Sequence, residues 1–340
     1  MHWILQNNLF NEEAYQVLLD TLERMELPYS IHKVVPFVGE LIPEPELSHY
    51  NAICMGSYSL RHAANKYQWE PGVFDLEQEN FTVQMQHWGE HMLNADAQVC
   101  AFKDVNFDQE LMFIRPIEDS KVFAGNVFTK DEFYEWKRKV VVLEHDYGNS
   151  LTKDTLVQVC NPKVIFAEYR FWIVKGKIVT KSLYKRGDKV MYSDEVDVRF
   201  DEYVKLRVAE WEPHEAFVID VCDTPDGIKI VEINTLNSCG FYAADIQKLV
   251  DALECAFNDD EIVPDPDTPA YERILKAGCI GTRDYWGEYD CDYKWTCDDC
   301  PIVQSQHDPN DEKMITFFTV EETFNEGSIG QERTIAARTV

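Results

Sequence analysis

The chain has 340 residues, 45% of them hydrophobic and 13% aromatic, which excludes a disordered chain and allows two or three sub-domains around sizeable cores. A formal net charge of −29 argues against a nucleic-acid backbone as partner, because that requires a basic stripe. No apolar run approaches membrane-spanning length, MHWIL turns polar too soon for a signal peptide, and of the ten cysteines Cys54, Cys100, Cys160, Cys222 and Cys239 are scattered singly, which suits reduced thiols better than a disulfide framework; a cytoplasmic setting is expected.

Residues 1–104 read as an α/β unit. HWILQ is a first strand, and Tyr15, Leu18, Leu19, Leu22 and Met25 follow at helical spacing. YSIHKVV and NAICMG give two more strands, and SYSLRHAANKYQW a second helix. Strand–helix–strand order implies a parallel, doubly wound sheet. LIPEPEL is a connecting loop. HWGEH, residues 87–91, matches the H-x-x-E-H pattern in which two histidines a helical turn apart hold zinc. Gly89 is a poor helix-interior residue, and an ordinary exposed helix face is the plainer reading.

From residue 105 to 257 longer β segments dominate. DQELMFIRP is a strand ending in Arg115-Pro116, followed by the loop IEDSKVFAG with Lys121 and Gly125, the helix DEFYEWKRK, and VVVLEHD as a buried strand. VIFAEYRFWIVKGKIVTKSLYK is a long hairpin turning at Lys175-Gly176-Lys177. Glu168, Arg170 and Trp172 share a face of its first strand, and Lys181 lies on the second. Arg115, Lys121, Arg170 and Lys181 are thus four cations on or beside sheet elements; each is otherwise a partner for a surface acid.

AFVIDV and IKIVEI flank Thr-Pro-Asp-Gly, a second hairpin. Folding about that turn brings Asp220 roughly opposite Glu232, with Asn234 on the same face as Glu232. Three oxygen-bearing side chains converging on a greasy ribbon suit Mg²⁺; the bland alternative is a surface hairpin with solvated acids. Ile246, Leu249, Val250, Leu253 and Phe257 form one stripe of a helix. Residues 258–269 are an acidic, proline-rich linker. Residues 270–340 form a cysteine-containing extension in which Cys291, Cys297, Cys300 and His307 suit either a structural zinc ion or a reduced, loop-rich appendage.

In this order, MFIRP with KVFAG, then VVVLEHD, then AEYRFWIV with IVTKSLYK, then IDV with IVEINTLNSCGFY resemble the motifs of the ATP-grasp superfamily over residues 105–257. Residues 1–104 resemble the α/β domain that usually precedes them. The closest likeness is to the poorly characterised phage and bacterial ATP-grasp families with Arg-Pro at the first basic position, where the wider superfamily carries lysine. The resemblance implies an N-terminal doubly wound α/β domain followed by antiparallel ATP-grasp sheets. It also implies an ATP- and Mg²⁺-dependent ligase joining a carboxylate to an amine or thiol through an acyl-phosphate. Asp220, Glu232 and Asn234 are then expected to hold Mg²⁺, and Arg115 and Lys121 to contact phosphates. Backbone near Leu143 and Glu144 is expected on the adenine edge, and Glu168 toward the ribose or a phosphate-side partner. Arg170 and Lys181 become the catalytic cations, while Asn237, Ser238, Gly240 and Tyr242 face the acceptor. The expected partners are small-molecule or peptide carboxylates and amines, with neither nucleic acid nor membrane, in the cytoplasm (the host's, if phage-encoded). A kinase on the same fold and a nucleotide-binding module without chemistry are the alternatives.

Overall fold

HWILQ forms the central strand of the first sheet, β1 (His2–Gln6), and four of its five residues are buried, as a strand covered on both faces requires. The computed structural model describes residues 1–7, 13–47, 51–118, 123–142, 151–258, 316–319 and 336–339. After β1 come α1 (Glu13–Arg24), β2 (Tyr29–Val34), β3 (Leu41–Ile42), β4 (Asn51–Met55), α2 (Leu60–Tyr67) and β5 (Glu70–Gly72). The sheet order is β3-β2-β1-β4-β5; β1 is parallel to β2 and β4, and β4 to β5, while β3 runs antiparallel. The chain therefore leaves β1 in both directions, and the strand order reverses between β1 and β4. On α2, Leu60, Ala63 and Ala64 are buried against Ile4 and Cys54.

Next come α3 (Phe81–Trp88), β6 (Gln98–Ala101), β7 (Leu111–Pro116), β8 (Asn126–Thr129), α4 (Lys130–Val142) and β9 (Leu156–Cys160). The four strands make an antiparallel sheet in the order β6-β9-β7-β8, with Phe102, Phe107, Ile114, Phe133 and Val157 at the centre of its core. Here the sequence expectation is corrected. Residues 140–142 of VVVLEHD belong to α4 rather than to a strand, because Val140 continues the stripe of Phe133 and Trp136 and is buried with them. The buried strand of this sheet is instead β9.

The third sheet contains β10 (Ala167–Val174), β11 (Lys177–Arg186), β12 (Lys189–Ser193), β13 (Ala216–Thr224) and β14 (Gly227–Asn234), in the order β12-β11-β10-β13-β14, all antiparallel. Helix α5 (Val198–Glu210) lies between β12 and β13 in sequence. It covers one face of the sheet, packing Phe200, Val204 and Val208 with Tyr169, Phe171, Ile219 and Val221. The final helix of this unit, α6 (Ile246–Phe257), buries the expected stripe of Ile246, Leu249, Val250, Leu253 and Phe257. It returns to the first sheet: Glu254 accepts from the Met1 amino group at 3.3 Å and from Trp3 Nε1 at 2.5 Å.

The zinc pattern in HWGEH is not realised as one helical face. Helix α3 stops at Trp88, Gly89 has φ +46°, and Gly89–His91 is a separate 3₁₀ turn. His87 stacks on Trp211 at 4.3 Å, and His91 meets the edge of Tyr203 at 6.0 Å. Among the described residues no group of three or more His, Cys, Asp or Glu is placed to hold a metal, and no helix is long and apolar enough to cross a membrane. The chain divides into two compact units, Met1–Asp259 and Asp260–Val340. In the second, β15 (Thr316–Thr319) pairs antiparallel with β16 (Ala336–Thr339). Cys291, Cys297, Cys300 and His307, named above for zinc, lie outside the described residues.

Candidate functional site

The third sheet has one face packed on α5 and one face polar, and strand parity decides which side chains reach the polar face. The β13–β14 hairpin pairs Asp220 with Glu232 and Val218 with Asn234; counting back from its two-residue turn sets Asp220 opposite Val231, and a register shift between Asp220 and Val221 moves the partner to Glu232. Across β10, Arg170 pairs with Asp220. Arg170 grips Asp220 bidentately, Nε to Oδ1 at 2.8 Å and Nη2 to Oδ2 at 2.7 Å. Both side chains are buried, Asp220 to within 1% of its surface. Burial pushes the Asp220 carboxyl upward, and the Arg170 guanidinium opposes that shift. Asn234 Nδ2 donates to Asp220 Oδ2 at 3.3 Å and to Glu232 Oε1 at 3.2 Å, so one amide reaches both acids.

Arg115, at the end of β7, forms an ion pair with Glu232 and thereby joins the second sheet to the third. The two acids are each matched by an arginine from a different sheet. Lys121, Leu143 and Glu144 lie outside the described residues.

Lys181 is not in this constellation. It pairs with Phe171, faces α5, and forms an ion pair with Asp201. The reason is local. Counting back from Val174–Lys177 without interruption sets Arg170 opposite Lys181, but a register shift between Trp172 and Ile173 moves the partner to Ser182 and turns Lys181 to the other face. Tyr184 and Lys185 take the positions near Glu168 instead: Tyr184 donates to Glu168 Oε2 at 3.0 Å and Lys185 pairs with Oε1 at 2.8 Å.

Beyond β14 the chain folds back over Arg170. Gly240 O accepts from Arg170 Nη1 at 3.4 Å, and the guanidinium lies 4.9 Å from the centre of the Tyr242 ring. Tyr242, at φ +53°, stacks on Tyr184 at 5.1 Å, and burial pushes its hydroxyl up to about 12. Ser238 is half-buried in the 3₁₀ turn Leu236–Ser238. Asn237, expected to face the acceptor, is 2% exposed and fully engaged elsewhere. Its Nδ2 donates to Cys54 O at 2.7 Å and Gly72 O at 3.2 Å, and its Oδ1 accepts from Phe74 N at 2.8 Å. It fastens the end of β14 to the first sheet.

A cavity of about 600 Å³ opens beside these groups. Arg115, Gln158, Glu232 and Asn234 line it from the two antiparallel sheets; Gln6, Ser57 and the first turn of α2 line it from the first sheet. It therefore lies at the carboxyl ends of β1 and β4, where the strand order reverses and α/β sheets bind ligands. Gln6 Oε1 accepts from Ser57 N at 2.8 Å, and the approach leaves no room for a side chain at Gly56, where a Cβ would stand 2.5 Å from Gln6 Cβ. Gln158 and β9 were not singled out in the sequence, although LVQVC carries the apolar run of a strand.

The model of an ATP-grasp domain family, the third family of its clade, matches residues 56–253, more than half of the chain. The chain belongs to this ATP-grasp family. The matched span of the ATP-grasp domain takes in α2, both antiparallel sheets and most of α6. Among solved structures, the protein is similar to a RimK domain ATP-grasp protein from Sphaerobacter thermophilus (10% identity, 70% of this chain and 92% of that one, TM-score 0.49). It is also similar to D-alanine–D-alanine ligase from Bacillus anthracis (13%, 84% and 99%, TM-score 0.47) and to the ATP-grasp ligase PsnB complexed with a minimal precursor (9%, 73% and 96%, TM-score 0.45). No curated protein sequence matches the chain.

Proposed function

We propose that this ATP-grasp protein is an ATP- and Mg²⁺-dependent ligase that joins a carboxylate to an amine through an acyl-phosphate. One observation carries the reading: Asp220, Glu232 and Asn234 converge on one sheet face, bracketed by Arg170 and Arg115, beside a cavity of about 600 Å³. Two carboxylates and an amide supply the hard oxygen donors that Mg²⁺ prefers, and Asn234 lies beside both acids, so the residue types fit the ion, with the amide turned to present its oxygen in place of the Nδ2 that now donates to the carboxylates. These three residues would hold it; when bound it neutralises charge on the β- and γ-phosphates.

The chain's own groups do the rest. Arg115, and Lys121 beyond it, contact phosphate oxygens, with arginine offering a bidentate fork. Backbone near Leu143 and Glu144 would be assigned to the adenine edge, and Glu168 to the ribose or a phosphate-side partner. Arg170 is a positioning residue, because both arms of its guanidinium hold the Asp220 carboxylate in place. Ser238, Gly240 and Tyr242 border the carboxylate that accepts the phosphoryl group, while Asn237 holds their segment against the first sheet. The role expected for Lys181 is dropped, since its charge is matched by Asp201 on the far face.

In the reaction, a substrate carboxylate oxygen attacks the γ-phosphorus and the bond to ADP breaks. The amine nitrogen then attacks the acyl carbon, the bond to phosphate breaks, and the nitrogen gives up a proton. The buried, unpaired thiols of Cys54, Cys160, Cys222 and Cys239 support a reducing, cytoplasmic setting. Small-molecule or peptide carboxylates and amines are the substrates to screen. Product analysis tests the reaction: ADP, inorganic phosphate and a new amide in equal amounts are expected. ADP with a phosphorylated acceptor, and no amide, would make the protein a kinase instead.

A further inference from the structure

One wall of the cavity has a chemistry that phosphate and metal binding leave unused. The turn between β2 and β3 carries Phe37 to the edge of the cavity with 89% of its surface exposed. Its φ of +65° lies in the left-handed region, a costly conformation for a bulky L-residue. The turn is fixed in place: Phe37 N donates to Ser59 Oγ at 3.3 Å and Gly39 N to Val35 O at 2.9 Å. A Cβ on Gly39 would lie 2.3 Å from Ser59 O, so the turn presses directly on the start of α2. An exposed aromatic in strained backbone gains nothing from the core, and such strain collects at ligand contacts.

Val34 and Pro36 extend this apolar wall, whereas Glu77 and Glu79 line the same cavity with no ion pair among the described residues. Arg61 also lines the cavity, with its guanidinium held 4.1 Å from the Tyr58 ring centre and donating to Tyr58 O at 3.2 Å. Two buried carboxamides also line the space, Gln84 at 8% and Gln158 at 3% exposure. Gln84 Nε2 donates to Glu79 O at 2.8 Å and Gln158 Oε1 accepts from Asn94 at 3.3 Å.

We propose that this cavity takes the amine substrate, and that the amine carries a large apolar group seated against Phe37 while its ammonium faces Glu77 and Glu79. Apolar contact and acidic charge in one cavity select for that combination, and an aromatic ring adds attraction for a cation. The amine's fate rests on the ligase reading given above; its binding does not.

The test is an NMR-monitored titration of the full chain with three probes: L-phenylalaninamide, glycinamide and N-acetyl-L-phenylalaninamide. The first has both features, and the others lack the apolar group or the charge. L-phenylalaninamide is expected to bind roughly tenfold or more tightly than either control. Phe37→Ala, which removes an exposed ring and no core contact, should abolish the advantage over glycinamide. Glu77→Gln with Glu79→Gln should abolish the advantage over the acetylated probe. Equal affinity for all three probes, no binding of any, or preferences that survive the substitutions would overturn the proposal. A parallel titration with a non-hydrolysable ATP analogue separates the two readings. Analogue binding without the amine preference overturns the cavity assignment alone; the amine preference without analogue binding overturns the ligase reading and leaves the assignment standing.

Discussion

Asp220 is 1% exposed and its charge is matched by Arg170 through two hydrogen bonds, so at the scale of single residues the candidate site is also a structural liability. Removing one member of a buried pair leaves the other uncompensated, at a cost of about 3–5 kcal/mol. Asp220→Ala should therefore lower the urea midpoint strongly, and Asp220→Ala combined with Arg170→Met should recover most of the loss. If the single substitution leaves the midpoint unchanged, the pair is not held as described. Loss of activity in Asp220→Ala alone would thus say little about metal binding, and Glu232, with a side chain 24% exposed, is the better position to probe. The three oxygen donors were legible as a group near the end of one hairpin, but their exact pairing was not: the two-residue turn alone sets Asp220 opposite Val231, and a register shift between Asp220 and Val221 brings it to Glu232. Asn237 was not. A polar residue just past metal-binding positions reads as a substrate contact, and nothing local reveals that its partners are Cys54 O, Gly72 O and Phe74 N.

At the scale of elements, long periodic segments were readable and interruptions were not. β1, β2, β4, α1 and α2 of the first sheet, the two hairpins and the stripe of α6 follow from periods of two and 3.6, whereas the short strands β3, inside the expected loop LIPEPEL, and β5 carry too few residues to show a period. Lys181 was placed wrongly because a register shift within the β10–β11 hairpin leaves no signature in its apolar pattern. The prediction for Lys181→Met is ATP turnover unchanged, with a stability loss of about 1–3 kcal/mol because it leaves the largely buried Asp201 carboxylate without its partner. A collapse of turnover in this variant would return Lys181 to the site. The end of α4 was misread because three valines suit a buried strand as well as the last turn of a packed helix. Helix α6 carries a titration of its own. Burial, reinforced by the neighbouring Asp245, pushes the Asp251 carboxyl up to about 6. An acid raised in the folded state binds its proton more readily there than in the unfolded chain, so stability falls as pH rises from about 4 to about 6 and then levels. Thermal melts of Asp251→Asn against the parent should show a gap in favour of the variant that widens over that range and is constant above it. A gap independent of pH would contradict the assignment.

At the scale of the whole molecule, the unit Met1–Asp259 is tied together where its three sheets meet. Asn237 fastens the end of β14 to the first sheet, Glu254 of α6 receives Met1 and Trp3 of β1, and Arg115 joins the second sheet to Glu232 of the third. The cavity lies in the same place, lined from all three sheets, so ligand binding and sheet packing share their residues. Its location at the point where strand order reverses follows from the topology and could not be read from any one motif. The central claim is that Glu232, with Asp220 and Asn234, couples nucleotide binding to Mg²⁺. The most direct measurement is isothermal titration of the full chain with a non-hydrolysable ATP analogue, with and without Mg²⁺, on the parent protein and on Glu232→Gln. The account predicts tighter binding with Mg²⁺ in the parent and a loss of about tenfold or more of that enhancement in the variant, with binding in the absence of Mg²⁺ retained. Binding that ignores Mg²⁺, or an enhancement that survives Glu232→Gln intact, would contradict it.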